Sequence, residues 1–342
     1  MAKKNIDWEN LGFGYYKTDK RYVSNFKDGK WDNGCITDEA NVVISECAGV
    51  IHYCQTCFEG MKAYETKDGH VVVFRPDMNA KRMEDSAKRL EIPVFPVDRF
   101  IDAVEQVVKA NIDFVPPYGT GAALYLRPVM FATGPVMGVK PATEYQFRIF
   151  ASPVGPYFKK GSSTSSLVLK VSDFDRSAPC GTGHIKAGLN YAMSLHPIVT
   201  AHDEGFNENL YLDPKTRTKV EETGGANFFF VTKNNTVVTP KSDSILPSIT
   251  RRSLMSLAAD LGYKVEEREV YLSELGEFVE CGLCGTAAVI SPVGKINNHG
   301  KEIIFANSQN GRGPVSEKLY KTLTGIQYGE IEAPKGWIKT IV

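Results

Sequence analysis

The chain has 342 residues, and its 40 Lys+Arg balance 40 Asp+Glu, so the formal net charge is zero. Hydrophobic residues make up 42% and charged residues 23%, which is ordinary globular composition with enough apolar material for a sizeable core. The length suggests about two domains. The balance excludes the basic face that broad nucleic-acid binding needs, and no stretch approaches the roughly 20 apolar residues of a membrane helix.

Val71 to Phe74 is a β-branched run that reads as a strand ending at Arg75-Pro76. Met78 to Leu90 follows as a helix with Met83, Ala87 and Leu90 on one face. Phe100, Ile101, Val104, Val107 and Val108 predict a second amphipathic helix, and Ala122 to Met130 and Gln146 to Pro153 read as buried strands. Around Leu124 to Val139 the longest apolar stretch is broken by Arg127, Pro128 and Pro135. Pro, Gly and Ser crowd Ser152 to Ser166 and mark a boundary. The predicted division is a smaller N-terminal α/β domain at 1–153, an interdomain loop at 154–166 and a larger C-terminal domain at 167–342. In the second half, Leu167 to Val171, Asn209 to Leu212, Asn227 to Thr232 and Thr236 to Thr239 read as strands. A helix starts at Ser248 to Thr250, carries Leu254, Leu257, Ala258 and Leu261, and stops at Gly262. The class is α/β or α+β, with no regular βαβ alternation.

The N-terminus, Met1 to Asp7, lacks the apolar core of a signal peptide, so a cytoplasmic location is expected. The 7 cysteines are odd in number, and reduced thiols follow. Cys54/Cys57 and Cys281/Cys284 have C-x-x-C spacing. The two pairs stand much further apart than the roughly 20 residues between zinc knuckles. Small buried thiols and no metal are therefore expected.

Gly181-Thr182-Gly183 begins like a dinucleotide fingerprint, but the third glycine is misplaced. No phosphate-binding P-loop or common hydrolase motif is present. Three local features suggest chemistry. Lys186 lies among Ile185, Ala187 and Gly188, where desolvation would make its amine a Schiff-base nucleophile. Read alone, the window also fits an ordinary lysine at a helix start. Glu221-Glu222 precede Thr223-Gly224-Gly225, which could place a carboxylate in a cleft or form a solvated turn. Ser248-Ile249-Thr250-Arg251-Arg252 opens a helix, whose free N–H groups form an anion site or a plain cap. A lysine, a placed carboxylate and a phosphate cradle together are what pyridoxal 5'-phosphate requires.

The sequence resembles the branched-chain amino acid aminotransferases, fold-type IV pyridoxal-phosphate enzymes, over nearly its whole length. The resemblance rests on His52-Tyr53, Phe58-Glu59-Gly60-Met61-Lys62-Ala63, Phe74-Arg75-Pro76, Leu124-Tyr125-Leu126-Arg127-Pro128 and Ser152 to Phe158. It continues through Lys186-Ala187-Gly188-Leu189-Asn190-Tyr191, Glu222-Thr223-Gly224, Ile245 to Arg251 and Gly285-Thr286-Ala287-Ala288. Length and the N-terminal segment from Leu11 to Asp19 look like the longer subgroup that includes the mammalian enzymes.

The resemblance implies a two-domain, D-amino-acid-aminotransferase-like fold with pyridoxal 5'-phosphate between the domains. It implies exchange of amino groups between L-leucine, L-isoleucine or L-valine and 2-oxoglutarate, giving branched 2-oxo acids and L-glutamate. Lys186, in the larger domain, would hold the cofactor as a Schiff base and carry the proton. Glu222 would pair with the pyridine nitrogen and Tyr191 with the ring hydroxyl. Arg75, Thr286 and the amides of Ile249 and Thr250 would hold the phosphate. Tyr53, Phe58 and Tyr125 would line the side-chain pocket, the Thr286-Ala287 amides would meet the α-carboxylate, and Arg127 would bind the glutamate side chain. A homodimer sharing pocket residues is implied, with no nucleic-acid or membrane partner. Two positions depart from the family. Ala288 and Ser291 stand where mammalian members carry a redox C-x-x-C pair, and Gly225 replaces a threonine. D-amino-acid aminotransferase and aminodeoxychorismate lyase share the lysine and glutamate and are the alternatives. A zinc-stabilised binding protein is the remote one.

Overall fold

The computed structural model describes residues 3–155 and 166–342. Most of the predicted loop at 154–166, with Tyr157 and Phe158 of the family-like block, lies outside the described residues. The chain divides into two compact units. One comprises Met1–Tyr157, Ile185–Leu189 and Gly325–Val342, and the other Phe158–His184 and Asn190–Thr324. The sequence reading put all of 167–342 in the second domain, whereas Lys186 and the strand Ile338–Thr340 fall in the first unit. The reason is backbone pairing: each short segment completes a strand edge there, as described below.

The first unit contains β1 (Arg21–Lys27), β2 (Lys30–Trp31), β3 (Cys35–Thr37), α1 (Gly49–Tyr53), β4 (Thr56–Phe58), β5 (Met61–Glu65), β6 (Val71–Phe74), α2 (Pro76–Arg89), α3 (Val97–Ala110), β7 (Ala123–Ala132) and β8 (Tyr145–Val154). Among the described residues they form one antiparallel sheet, in the order Ile338–Thr340, β6, β5, β7, β8, β1, β2. β3 pairs with β1, and β4 with β7. One edge of β7 is shared: β5 pairs with Leu124–Leu126 and β4 with Val129–Phe131. Pro128, which has no N–H to give, sits at the break, and its carbonyl accepts the Glu59 N–H at 2.8 Å. Pro76 opens α2 at a position where its missing donor costs nothing. Met83 and Ala87 of α2, with Phe100, Val104, Val107 and Val108 of α3, cover one sheet face through Val71, Val73, Leu126 and Phe147. Each buried Phe, Val or Leu contributes roughly 1.5–3 kcal/mol. The opposite side of β7 carries Tyr125, Arg127 and Val129, alternating with the core residues and only partly buried.

The second unit contains β9 (Leu167–Val171), α4 (Gly188–Met193) from Asn190 onward, α5 (Leu195–Asp203), β10 (Glu208–Leu210), β11 (Asn227–Thr232), β12 (Val237–Pro240), α6 (Ile249–Asp260), β13 (Val265–Arg268), β14 (Phe278–Gly285), β15 (Val289–Asn298), β16 (Lys301–Ile304) and α7 (Pro314–Gln327) as far as Thr324. Its sheet runs β10, β9, β15, β14, β11, β12, β13, with β16 on β15. The pairs β10/β9, β9/β15 and β12/β13 are parallel, and α6 is the crossover of the last pair. Leu169, Phe228, Phe230, Leu283, Val293 and Phe305 form its core, with the Phe228 and Phe230 rings stacked at 5.7 Å. Gly262, with φ +84°, follows α6 as the left-handed stop the sequence predicted. No described helix is long and apolar enough to cross a membrane.

Cys57, Cys281 and Cys284 are buried thiols. Cys54 is exposed and left-handed at the end of α1, so the expected burial of the first pair holds for Cys57 alone.

Candidate active site

Lys186 lies just before α4 and is half-buried. Its N–H donates to Ser86 Oγ at 3.0 Å, and its carbonyl accepts the Phe58 N–H at 3.1 Å. Ala187 bridges Cys57. The lysine backbone is thus laid along β4 as an added strand edge and fixed on both sides. Ser86 in turn donates to the Arg82 carbonyl within α2. A Cβ at Gly188 would lie 2.9 Å from Thr56 Cγ2, so glycine permits this close approach. The Lys186 ammonium sits 4.7 Å from the centroid of the Phe58 ring.

Phe58, Tyr125 and Arg127 come together as the sequence proposed. The Arg127 guanidinium lies 4.8 Å from the Phe58 ring and 5.3 Å from the Tyr125 ring. Its Nη2 donates to Tyr125 Oη at 3.2 Å, while its buried Nε has no hydrogen-bond partner among the described residues. An unused donor beside two ring faces suits a carboxylate that comes and goes. A cavity of about 580 Å³ opens beside Tyr125 and Arg127, lined also by Phe13, Arg148 and Phe150. Sequence reading missed these three. The period-two alternation of β8 carries the signal for Arg148 and Phe150, whereas Phe13 reaches Tyr125 (5.2 Å between ring centroids) from a segment with no pattern. Arg148 is committed to the carbonyls of Glu39, Ala40 and Asn41. Glu59 is fully buried and takes Arg82 through two bonds, at 2.7 and 2.8 Å, and Asn79 at 2.7 Å. This clamps the chain next to Phe58, and breaking such a pair costs about 3–5 kcal/mol.

Tyr53 does not join this group. It ends α1, is exposed, and donates its hydroxyl to the Met137 carbonyl. Arg75 has left-handed backbone (φ 46°) ahead of α2. Its N–H donates to the Trp337 carbonyl at 2.8 Å, and its guanidinium lies 4.5 Å from the Trp337 ring. Burial lowers the guanidinium pKa from the ordinary arginine value, against the pull of Asp77.

In the second unit, the solvated-turn reading of Glu221-Glu222 fails: the two are 1% and 3% exposed. Successive residues of the extended segment diverge. Glu221 Oε1 accepts from Ser242 Oγ at 2.8 Å and from Ser244 Oγ. Glu222 Oε1 pairs with Arg176 Nη2 at 2.7 Å and accepts the Leu246 N–H at 2.8 Å, and its Oε2 accepts from Asn227 Nδ2 at 2.6 Å. Thr223 Oγ1 accepts the Ala226 N–H and folds the turn that follows. A Cβ at Gly225 would meet nothing within 4 Å, so the departure from threonine leaves open space.

Ser248 caps α6, its Oγ accepting the Arg251 N–H at 3.2 Å. The N–H groups of Ile249 and Thr250 precede any acceptor within the helix, which leaves them directed out of its end. Thr286 and Ala287 form the turn between β14 and β15, both half-buried. Val289 closes that turn with φ +57°, a strained conformation for a β-branched residue and one that collects at functional loops. Tyr191 is half-buried in α4.

The donor set fits pyridoxal 5'-phosphate. An amine on a pinned backbone, a buried carboxylate in an ion pair, a helix end with free amides, a threonine hydroxyl and an arginine match its aldehyde, ring nitrogen and phosphate.

Residues 56–296 of this chain match the amino-transferase class IV family. The branched-chain-amino-acid aminotransferase of Haemophilus influenzae is 51% identical over 98% of each chain. Among solved structures, the Escherichia coli branched-chain amino acid aminotransferase superposes with a TM-score of 0.81 at 28% identity, covering 95% of this chain and 100% of its own. That of Thermobaculum terrenum, solved in its PLP-form, gives 0.78 at 26% identity, with 95% and 100% covered. The chain belongs to the class IV aminotransferase family. The family match starts at Thr56, the first residue of β4, and ends at Ile296 in β15. In this class IV aminotransferase it therefore includes Phe58, Arg127, Lys186, Glu222 and Thr286, and leaves Tyr53 outside.

Proposed function

We propose that this aminotransferase exchanges amino groups between L-leucine, L-isoleucine or L-valine and 2-oxoglutarate, using pyridoxal 5'-phosphate. The observation that carries the substrate class is Arg127 lying against the rings of Phe58 and Tyr125. Both half-reactions must use one pocket. The ring faces accept a branched apolar side chain, and the guanidinium meets the second carboxylate of glutamate. The relatives' names agree with this choice.

When bound, the cofactor supplies an electron sink conjugated to the substrate nitrogen. Lys186 Nζ would anchor it and would act as the base and acid that carries the substrate Cα proton. The backbone bonds to Ser86 and Phe58 fix where that amine can reach. Glu222, paired with Arg176, would hold a proton at the ring nitrogen. Tyr191 would donate to the ring oxygen. The amides of Ile249 and Thr250, the Thr286 hydroxyl and Arg75 would hold the phosphate. The Thr286-Ala287 amides orient the α-carboxylate. Tyr53, exposed and bonded through its hydroxyl to the Met137 carbonyl, serves the pocket of a second copy in a homodimer. The cytoplasm is the proposed location.

The test is the visible absorption of the purified holoenzyme. L-Leucine should bleach the band and 2-oxoglutarate should restore it. Turnover of D-alanine without L-leucine would overturn the substrate assignment.

A further inference from the structure

We infer that Arg176 is a positioning residue for transamination, one that acts through Glu222. Arg176 is 5% exposed, lies between β9 and α4, and belongs to no motif read from the sequence. Its Nη2 pairs with Glu222 Oε1 at 2.7 Å, donates to the Gly183 carbonyl at 2.9 Å, and donates to the Ser244 carbonyl. These partners belong to three separate segments. Gly183 lies in the turn three residues before Lys186, Glu222 is the carboxylate itself, and Ser244 precedes the capped end of α6. One guanidinium therefore ties together the approaches to the lysine, the ring partner and the phosphate cradle.

The packing around it leaves no slack. A Cβ on Gly183 would collide with the Ser244 carbonyl and lie 2.8 Å from Arg176 Nη2. Glu222 is buried, and a buried carboxylate stays ionised only when charge and hydrogen bonds compensate the lost water. Arg176 is the cation that does so, beside the donors of Leu246 and Asn227. All three partners surround one nitrogen, Nη2, and a lysine side chain ends one bond short of it, so its ammonium falls short of the point where the three meet.

The inference rests on the functional reading above. Its test uses Arg176→Met, Glu222→Gln and the double variant, each as holoenzyme. Three quantities are measured: kcat with L-leucine, the position of the visible band, and the dissociation constant from titrating pyridoxal 5'-phosphate into cofactor-free protein. Arg176→Met should lower kcat at least tenfold and move the band in the same direction as Glu222→Gln. In the Glu222→Gln background it should lower kcat less than twofold further. Equal losses in both backgrounds, or a band that Glu222→Gln moves and Arg176→Met leaves alone, would overturn the inference. Arg176→Lys covers the case in which the methionine variant fails to fold. It should bind the cofactor with reduced kcat and a displaced band, and wild-type kcat and spectrum in it would overturn the three-way role. A wild-type holoenzyme whose band ignores L-leucine would defeat the functional reading instead, whatever the Arg176 variants do.

Discussion

Gly60 and Tyr125 interlock: a Cβ built on Gly60 would clash with Tyr125 Oη and lie 2.9 Å from its ring Cζ. The absence of a side chain at one residue sets the position of the hydroxyl that Arg127 Nη2 holds. Gly60→Ala should displace the phenol and raise KM for L-leucine roughly tenfold, equivalent to about 1.4 kcal/mol. Overpacking should also lower the melting temperature by several degrees. Adding Tyr125→Phe, which removes the clashing oxygen, should recover much of the stability. Steady-state kinetics and thermal unfolding of the single and double variants check both effects.

Lys186→Ala should abolish steady-state turnover and leave the fold in place, because the backbone bonds of the segment to Ser86 and Phe58 survive the substitution. Circular dichroism should match wild type. The variant should bind cofactor without the visible band of the lysine-bound form. Substantial turnover in it would remove the lysine from its assigned role.

Arg127→Met should separate the two half-reactions. Loss of a charge-assisted contact costs about 1.5–3 kcal/mol, so kcat/KM for L-glutamate should fall roughly ten- to hundredfold. The value for L-leucine, which brings no second carboxylate, should change by less than about threefold on the same reasoning. Equal losses for the two substrates would show that Arg127 supports the pocket without choosing between them.

Burial pushes the Lys62 ammonium down from 10.5 to about 8. Between those values the unfolded chain binds a proton that the folded chain does not, so this group makes stability rise with pH across the window. Below about 8 the full penalty applies. The melting temperature of Lys62→Met minus that of wild type should therefore fall as pH is raised from 7.5 to 10. A difference independent of pH would place the Lys62 charge in a well-compensated setting.

Elements whose pattern is purely local were legible. Val71–Phe74 is an unbroken apolar run, and the faces of α2 and α3 repeat at helical spacing. β14 was not legible, because Glu280, Gly282 and Gly285 look like loop residues. Gly282 is there for the Phe229 ring, which a Cβ would strike, and Glu280 is there for the N–H groups of Val315 and Ser316. β15 hid behind Pro292 and Gly294 for a similar reason. At the site, Lys186, Glu222 and the end of α6 stood out only as weak local features, and resemblance gave them roles. The burial of Glu222 was invisible locally because its cation, Arg176, stands far back along the chain. Tyr53 shows the opposite case: its block was recognisable, yet its exposure and its bond to the Met137 carbonyl depend on how α1 ends.

The strand Ile338–Thr340 closes the edge of β6, with Ile338 opposite Phe74 and Thr340 opposite Val72. The Lys186 segment closes the edge of β4. On the ribosome these two closures arrive late. Synthesis at about 5–20 residues per second takes on the order of tens of seconds, and throughout that time Val71–Phe74 presents an apolar, unpaired edge. The first unit, although it begins the chain, is thus among the last parts to finish, and the nascent protein depends on keeping that edge from pairing with a neighbour until its own last strand emerges.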